Sequence, residues 1–160
     1  MIQTLVSFLA ALTLLIFVHE LGHYLVARWC GVKVLRFSIG FGKPLFTWTV
    51  GADKTEWSIS AIPLGGYVKM LDEREQGTDA IPPADLPRAF TRQSLAKRSA
   101  IVVAGPVANF LLAIALYFSL NLIGVDEPAA VIGVPPAKTA AAAAGFAAGD
   151  KVVSIDGEEI

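Results

Sequence analysis

Between positions 2 and 18 no charged side chain interrupts a run dominated by Leu, Ile, Val, Phe and Ala, and with one glutamate set aside the apolar stretch continues to Ala27. At 1.5 Å of rise per residue this is long enough to cross the hydrocarbon core of a bilayer. A second uncharged run, rich in the same residues, extends over 99–125. The pattern predicts two transmembrane helices, over 1–29 and 99–125. Between them the period changes to two. Phe46, Trp48 and Val50 alternate with Thr47 and Thr49, and Trp57, Ile59 and Ala61 alternate with Ser58 and Ser60. Strands over 44–50 and 55–62, joined by Gly51-Ala52-Asp53-Lys54, form a β-hairpin on this reading. Its apolar face, with two tryptophans, would dip into the bilayer edge, where backbone survives only when paired or covered by protein. Such a hairpin either presents an edge to an extended substrate strand or caps a site.

Gly40-Phe41-Gly42 and Pro63-Leu64-Gly65-Gly66 read as tight turns bracketing the hairpin. Segment 71–87 is acidic and Pro-containing, an exposed loop in which Asp72, Glu73, Glu75, Asp79 and Asp85 would be solvated. After the second span, 137–148 is Ala-rich and helix-favouring, and 150–157 gives a strand and a turn. The 35 residues of 126–160 are too few for a sizeable independent core.

Composition supports a membrane protein. Of 160 residues, 54% are hydrophobic and 17% charged, and mean hydropathy is +0.59, too apolar for an ordinary soluble domain. A secretory signal is the rival for the N-terminus, but no Lys or Arg precedes the run and no small-residue cleavage site follows it. The net charge of −1 conceals a polarity: eleven of thirteen Lys and Arg lie between Arg28 and Arg98. The positive-inside rule puts 30–98 on the cytoplasmic side and both ends of the chain outside. No nucleic-acid partner is expected; membrane lipid is. Cys30 is the sole cysteine, so no internal disulfide can form, and it reads as a packed structural thiol.

Chemistry enters with His19-Glu20-Leu21-Gly22-His23. Residues four apart on a helix share a face, so both imidazoles can grip one zinc ion, and Glu20 beside the first can pass a proton between water and a leaving amine. The plainer alternative is two interfacial histidines and a snorkelling glutamate. Against it, ionisable groups within a membrane segment are functional by default, and these are the chain's two histidines. Helical rise puts His19 roughly 13 Å, His23 roughly 8 Å and Asn109 roughly 16 Å below the cytoplasmic surface. Asn109 can therefore reach the histidine face, with Gly105 and Pro106 allowing close approach or a kink. Its amide would bind a substrate carbonyl or steady an oxyanion, or make an ordinary interhelical hydrogen bond.

HELGH in the first span, RFSIGFGKPLF and IPLGGYVKMLDE around the hairpin and AGPVANFLLA in the second span together resemble the site-2 intramembrane zinc metalloproteases. AGFAAGDKVVSIDGEEI resembles the opening of a bacterial PDZ domain. The resemblance covers nearly all of the chain. It implies zinc at His19 and His23, the general base at Glu20, Asn109 near the site, and segments 37–50 and 55–70 as the membrane-associated β-region that presents substrate. It further implies a multi-pass protein of the bacterial inner membrane that cleaves transmembrane segments of single-span proteins, typically an anti-sigma factor, with the PDZ region at 126–160 filtering substrates by size outside.

A catalytic zinc normally has three protein ligands. The family's third is an aspartate of an LDG motif on a later transmembrane helix, expected beyond Ile160, so this stretch by itself would be an inactive fragment. Asp156 follows a short strand on the wrong side of the membrane, and Asp72 lies in a polar loop. Two other functions remain open: a membrane-anchored zinc protease for substrates outside the membrane, which would separate its anchor from HExxH whereas Val18 abuts His19, and a non-catalytic membrane scaffold, for which Glu20 would be dispensable.

Overall fold

The computed structural model describes residues 1–124 and 130–159. Position 125, the expected end of the second span, and positions 126–129 and 160 of the expected PDZ start lie outside them. The chain divides into two units, Met1–Phe118 and Ser119–Ile160.

α1 (Ile2–Trp29), in the first unit, and α3 (Leu95–Ile123), which begins in it, are each long and apolar enough to cross a membrane. α3 begins at Leu95, ahead of the expected 99, because the polar residues Lys97 and Arg98 are carried on its first turn. α1 ends where Gly31 adopts φ +84°, with Val32 N–H donating to Ala27 O at 2.9 Å and Gly31 N–H to Arg28 O at 3.0 Å. This closure satisfies carbonyls the helix leaves open and tucks Val32 into the core.

Between the helices, β1 (Val34–Val50) and β2 (Thr55–Met70) form the expected hairpin about 51–54. Both strands are longer than the alternating pattern indicates. Gly40-Phe41-Gly42 and Pro63-Leu64-Gly65-Gly66 are bends inside the strands, not separate turns. Past these bends each strand doubles back, and the first leg of β1 lies between two legs of β2. Residues 34–39 pair antiparallel with 66–70 on one side, from Val34↔Met70 to Ile39↔Gly66. On the other they lie beside 56–59, where the paired numbers rise together from Arg36↔Glu56 to Ile39↔Ile59. Gly40 makes the reversal possible: its φ is +88°, and a Cβ there would come within 2.8 Å of Ile62 O and 2.9 Å of Ser60 O.

The core of this unit joins α1, the sheet and α3 through buried Tyr24, Ala27, Val32, Val34, Phe37 and Ile101. Phe37 stacks on Trp57 with centroids 4.3 Å apart and takes the edge of Tyr24 at 5.7 Å. Burying one such ring stabilises by about 1.5–3 kcal/mol, so this cluster locks the rotation of α1 against the sheet. The expected lipid-facing tryptophan pair is thereby corrected: Trp48 is exposed, but Trp57 is turned inward among Tyr24, Phe37 and Trp48.

Segment 71–87, together with 88–93 after it, is also more ordered than its composition suggests. Leu71, Ile81 and Ala89 form a small buried cluster. Asp72 caps the short α2 (Glu73–Gln76), accepting from Arg74 N–H at 2.8 Å. Glu73 pairs with Arg92, Glu75 with Lys69 and Asp85 with Lys33, so these acids are partnered rather than merely solvated. Arg88 makes two 2.7 Å hydrogen bonds to the Asp53 carboxylate, tying the segment to the hairpin turn. Cys30 is half-buried and packs beside the core.

In the second unit the Ala-rich stretch is helical over α4 (Ala140–Ala143) alone, because Gly145, at φ +86°, ends it. Ser154–Ile155 (β3) and Glu158–Glu159 (β4) pair antiparallel, and Val131 bridges to Lys151.

Candidate active site

The aromatic cluster fixes one face of α1 against the sheet and so turns His19, Gly22 and His23 toward α3. Contacts between the helices descend in one as they rise in the other: His23 meets Ile101, Gly22 meets Ala104 and Ala108, and His19 meets Asn109. The helices are antiparallel and close. A Cβ on Gly22 would lie 2.8 Å from Ala108 Cβ, which explains why the motif's fourth residue is glycine.

The two imidazoles stand nearly perpendicular, centroids 4.8 Å apart, with their Nε2 atoms 3.2 Å apart. His23 Nδ1–H donates to the Ile101 carbonyl at 2.7 Å. A neutral imidazole protonated at Nδ1 carries a bare lone pair at Nε2, the form a metal ligand needs. His19 Nδ1 faces Asn109 Nδ2 at 3.4 Å. The depth arithmetic from sequence thus brings Asn109 to the right level.

Gly105 supplies the room. A Cβ built there would lie 2.8 Å from His19 Nε2 and 2.7 Å from His23 Cε1, and would collide with His23 Nε2. The missing side chain lets both donor nitrogens pack directly against the backbone of α3. Bonds of about 2.0–2.1 Å at a tetrahedral angle place two donors roughly 3.3 Å apart, close to the 3.2 Å seen. The pair fits a tetrahedral metal such as zinc. Among the described residues no group of three His, Cys, Asp or Glu completes such a site. Asp72 is engaged as a helix cap, and Asp156 sits in the β3–β4 turn at φ +51°.

Glu20, one position on from His19, leaves the ligand face and points toward the edge leg of β2. A Cβ on Gly66 would come within 2.8 Å of Glu20 Cγ. Glu20 and Gly66 line two clefts. One, about 430 Å³, also touches His23, Val68, Lys69 and Ile101. The other, about 350 Å³, also touches His19, Phe41, Leu64 and Asn109. The carboxylate therefore stands where the clefts share a wall, beside a strand that pairs with β1 on its inner side alone among the described residues. Sequence reasoning missed the Ile101 carbonyl and the Gly66 contact, and named Gly105 for close approach of the helices but not for its contact with the two imidazoles. Gly105 and Asn109 share the four-residue spacing of His19 and His23, which was the available signal that the two helix faces match.

The family model described as Peptidase family M50 matches residues 7–154. The chain belongs to peptidase family M50. Among similar M50 relatives is a Ralstonia nicotianae protein provisionally named a zinc metalloprotease, 56% identical over 160 residues, covering 98% of this chain and 35% of that protein. The Regulator of sigma-E protease RseP of Escherichia coli is 50% identical over 157 residues, covering 97% and 34%. Protease RseP of Yersinia pestis is 48% identical over 156 residues, covering 98% and 34%. The chain spans about a third of the length of these relatives.

Proposed function

We propose that this M50 chain carries the metal-binding and proton-transfer part of an intramembrane zinc endopeptidase that cleaves transmembrane segments of single-span proteins. The observation that carries the reading is the pair of Nε2 atoms 3.2 Å apart on an apolar helix, packed against Gly105 with a carboxylate alongside. His19 and His23 would hold zinc, and the third ligand would come from polypeptide outside these 160 residues. When bound, zinc polarises a carbonyl and acidifies water. The chain's own groups do the rest. Glu20 takes a proton from the attacking water and returns it to the leaving amine. The Ile101 carbonyl fixes the tautomer and direction of His23. The edge leg of β2 at 66–70 adds an extended substrate strand, which places its peptide bonds past Glu20 and the two clefts.

Substrates of the anti-sigma-factor type fit the likeness to the two RseP proteins, one of which is named as a regulator of sigma-E. The excess of basic residues in 30–98 supports an inner-membrane orientation with that region cytoplasmic, and the glycine-ended Ala-rich segment and short strands of 126–160 would open a PDZ domain. Glu20→Gln tests the reading. It keeps the side chain's size but removes the base, so the full-length variant should crosslink to a membrane-embedded reporter without cutting it. Wild-type cleavage by this variant would place the chemistry elsewhere.

A further inference from the structure

We infer that Asn109 is the positioning residue for His19: with metal bound, its Oδ1 accepts the Nδ1–H of His19 and so holds the ring with a bare Nε2 beside that of His23. The inference rests on the metal-site reading above. Asn109 Oδ1 is buried and has no hydrogen-bond partner. Because the Ile101 carbonyl can only accept, these contacts imply one proton order for two neutral rings. Asn109 Nδ2–H faces His19 Nδ1 at 3.4 Å, His19 Nε2–H faces His23 Nε2 at 3.2 Å, and His23 Nδ1–H donates to Ile101 O at 2.7 Å. That relay satisfies both rings without a metal, but it sets a proton of His19 in the space between the donor nitrogens.

A metal requires both Nε2 atoms bare. His23 already meets this condition through Ile101. For His19 the proton must leave Nε2 and one must be taken up at Nδ1, so the ring keeps its proton count and changes tautomer. Nδ1 then needs an acceptor. A half-turn of the Asn109 side-chain amide exchanges the nearly isosteric Oδ1 and Nδ2 without moving the helix. It brings the orphaned oxygen to the nitrogen it can satisfy. The two ligands would thus be steadied alike, His23 by a backbone carbonyl and His19 by an amide carbonyl, both supplied by α3.

This differs from Asn109 acting on substrate, which would leave metal binding untouched. The test uses the full-length protein in detergent, comparing wild type, Asn109→Leu and Asn109→Asp. Zinc affinity is read by competition with a chromophoric chelator, and ligand geometry by the visible absorption of the Co²⁺-substituted protein. Asn109→Leu should weaken zinc binding by roughly 10–100-fold and alter the cobalt spectrum. Asn109→Asp keeps an acceptor at the same reach and should restore both. Wild-type affinity in Asn109→Leu, or equal loss in both variants, would overturn the assignment while leaving the metal site standing. A wild-type protein that holds no zinc would overturn both.

Discussion

Gly105→Ala isolates the packing of the imidazoles against α3, because the substitution adds a single methyl group. Alanine favours a helix interior over glycine by about 1 kcal/mol, so local propensity alone predicts a more stable α3. Against this, the new Cβ would lie 2.8 Å from His19 Nε2 and collide with His23 Nε2, whereas ordinary contacts begin near 3.4 Å. At least one ring must retreat by more than half an ångström. Overpacking of this kind costs about 1–3 kcal/mol, so against that gain the metal-free fold should lose no more than about 2 kcal/mol. Metal–ligand distances tolerate only about 0.2 Å, and a ring displaced beyond that no longer ligates. Zinc affinity of the full-length variant should fall by at least the roughly 10–100-fold typical of disturbed supporting groups, with folding retained. Chelator competition measures the first and thermal unfolding after zinc removal the second. Wild-type zinc affinity in Gly105→Ala would refute the claim that this glycine lets both imidazoles take up the geometry of metal ligands.

Two further outcomes follow from the parts that hold the site. The Arg88 guanidinium holds the Asp53 carboxyl below its usual range, so this pair's contribution is fully present above the unfolded value near 3.9 and is lost as pH falls through the lowered folded value. Arg88 is about one-third exposed, which keeps the contribution to about 0.2–1 kcal/mol. Arg88→Gln should lower the melting temperature at pH 7, and the gap from wild type should shrink as pH drops below about 4; a gap that widens on acidification would contradict the pairing. For orientation, single cysteines on a Cys30→Ser background should be labelled from the extracytoplasmic side at Lys138 and not at Lys54, and the reverse pattern would refute the proposed topology.

What could be read from the sequence was what depends on local periodicity. Both long helices, the turn at 51–54 and the shared face of His19 and His23 follow from spacing within a single element. Asn109 was reachable because helical rise converts residue counts into depth. The insertion of 34–39 between the legs of β2 was not legible, since it pairs residues about 20 and 30 positions apart through bends that look like turn punctuation. Trp57 shows the same limit: alternation assigns it a face, but stacking on Phe37 decides which way that face looks. Segment 71–87 reads as solvated by charge, yet its acids find partners in Lys33 just ahead of β1, Lys69 of β2 and Arg92 just ahead of α3. At the site, the space beside Gly105 is a property of two packed helices, which spacing along either one does not display.

Zinc-edge X-ray absorption on the purified full-length protein tests the central claim most directly. Wild type should show two imidazole nitrogens at about 2.0–2.1 Å, and His19→Ala or His23→Ala should each lose one of them together with most of the bound zinc. A zinc environment without imidazoles, or one unchanged in both variants, would contradict the assignment of His19 and His23 as the metal's ligands.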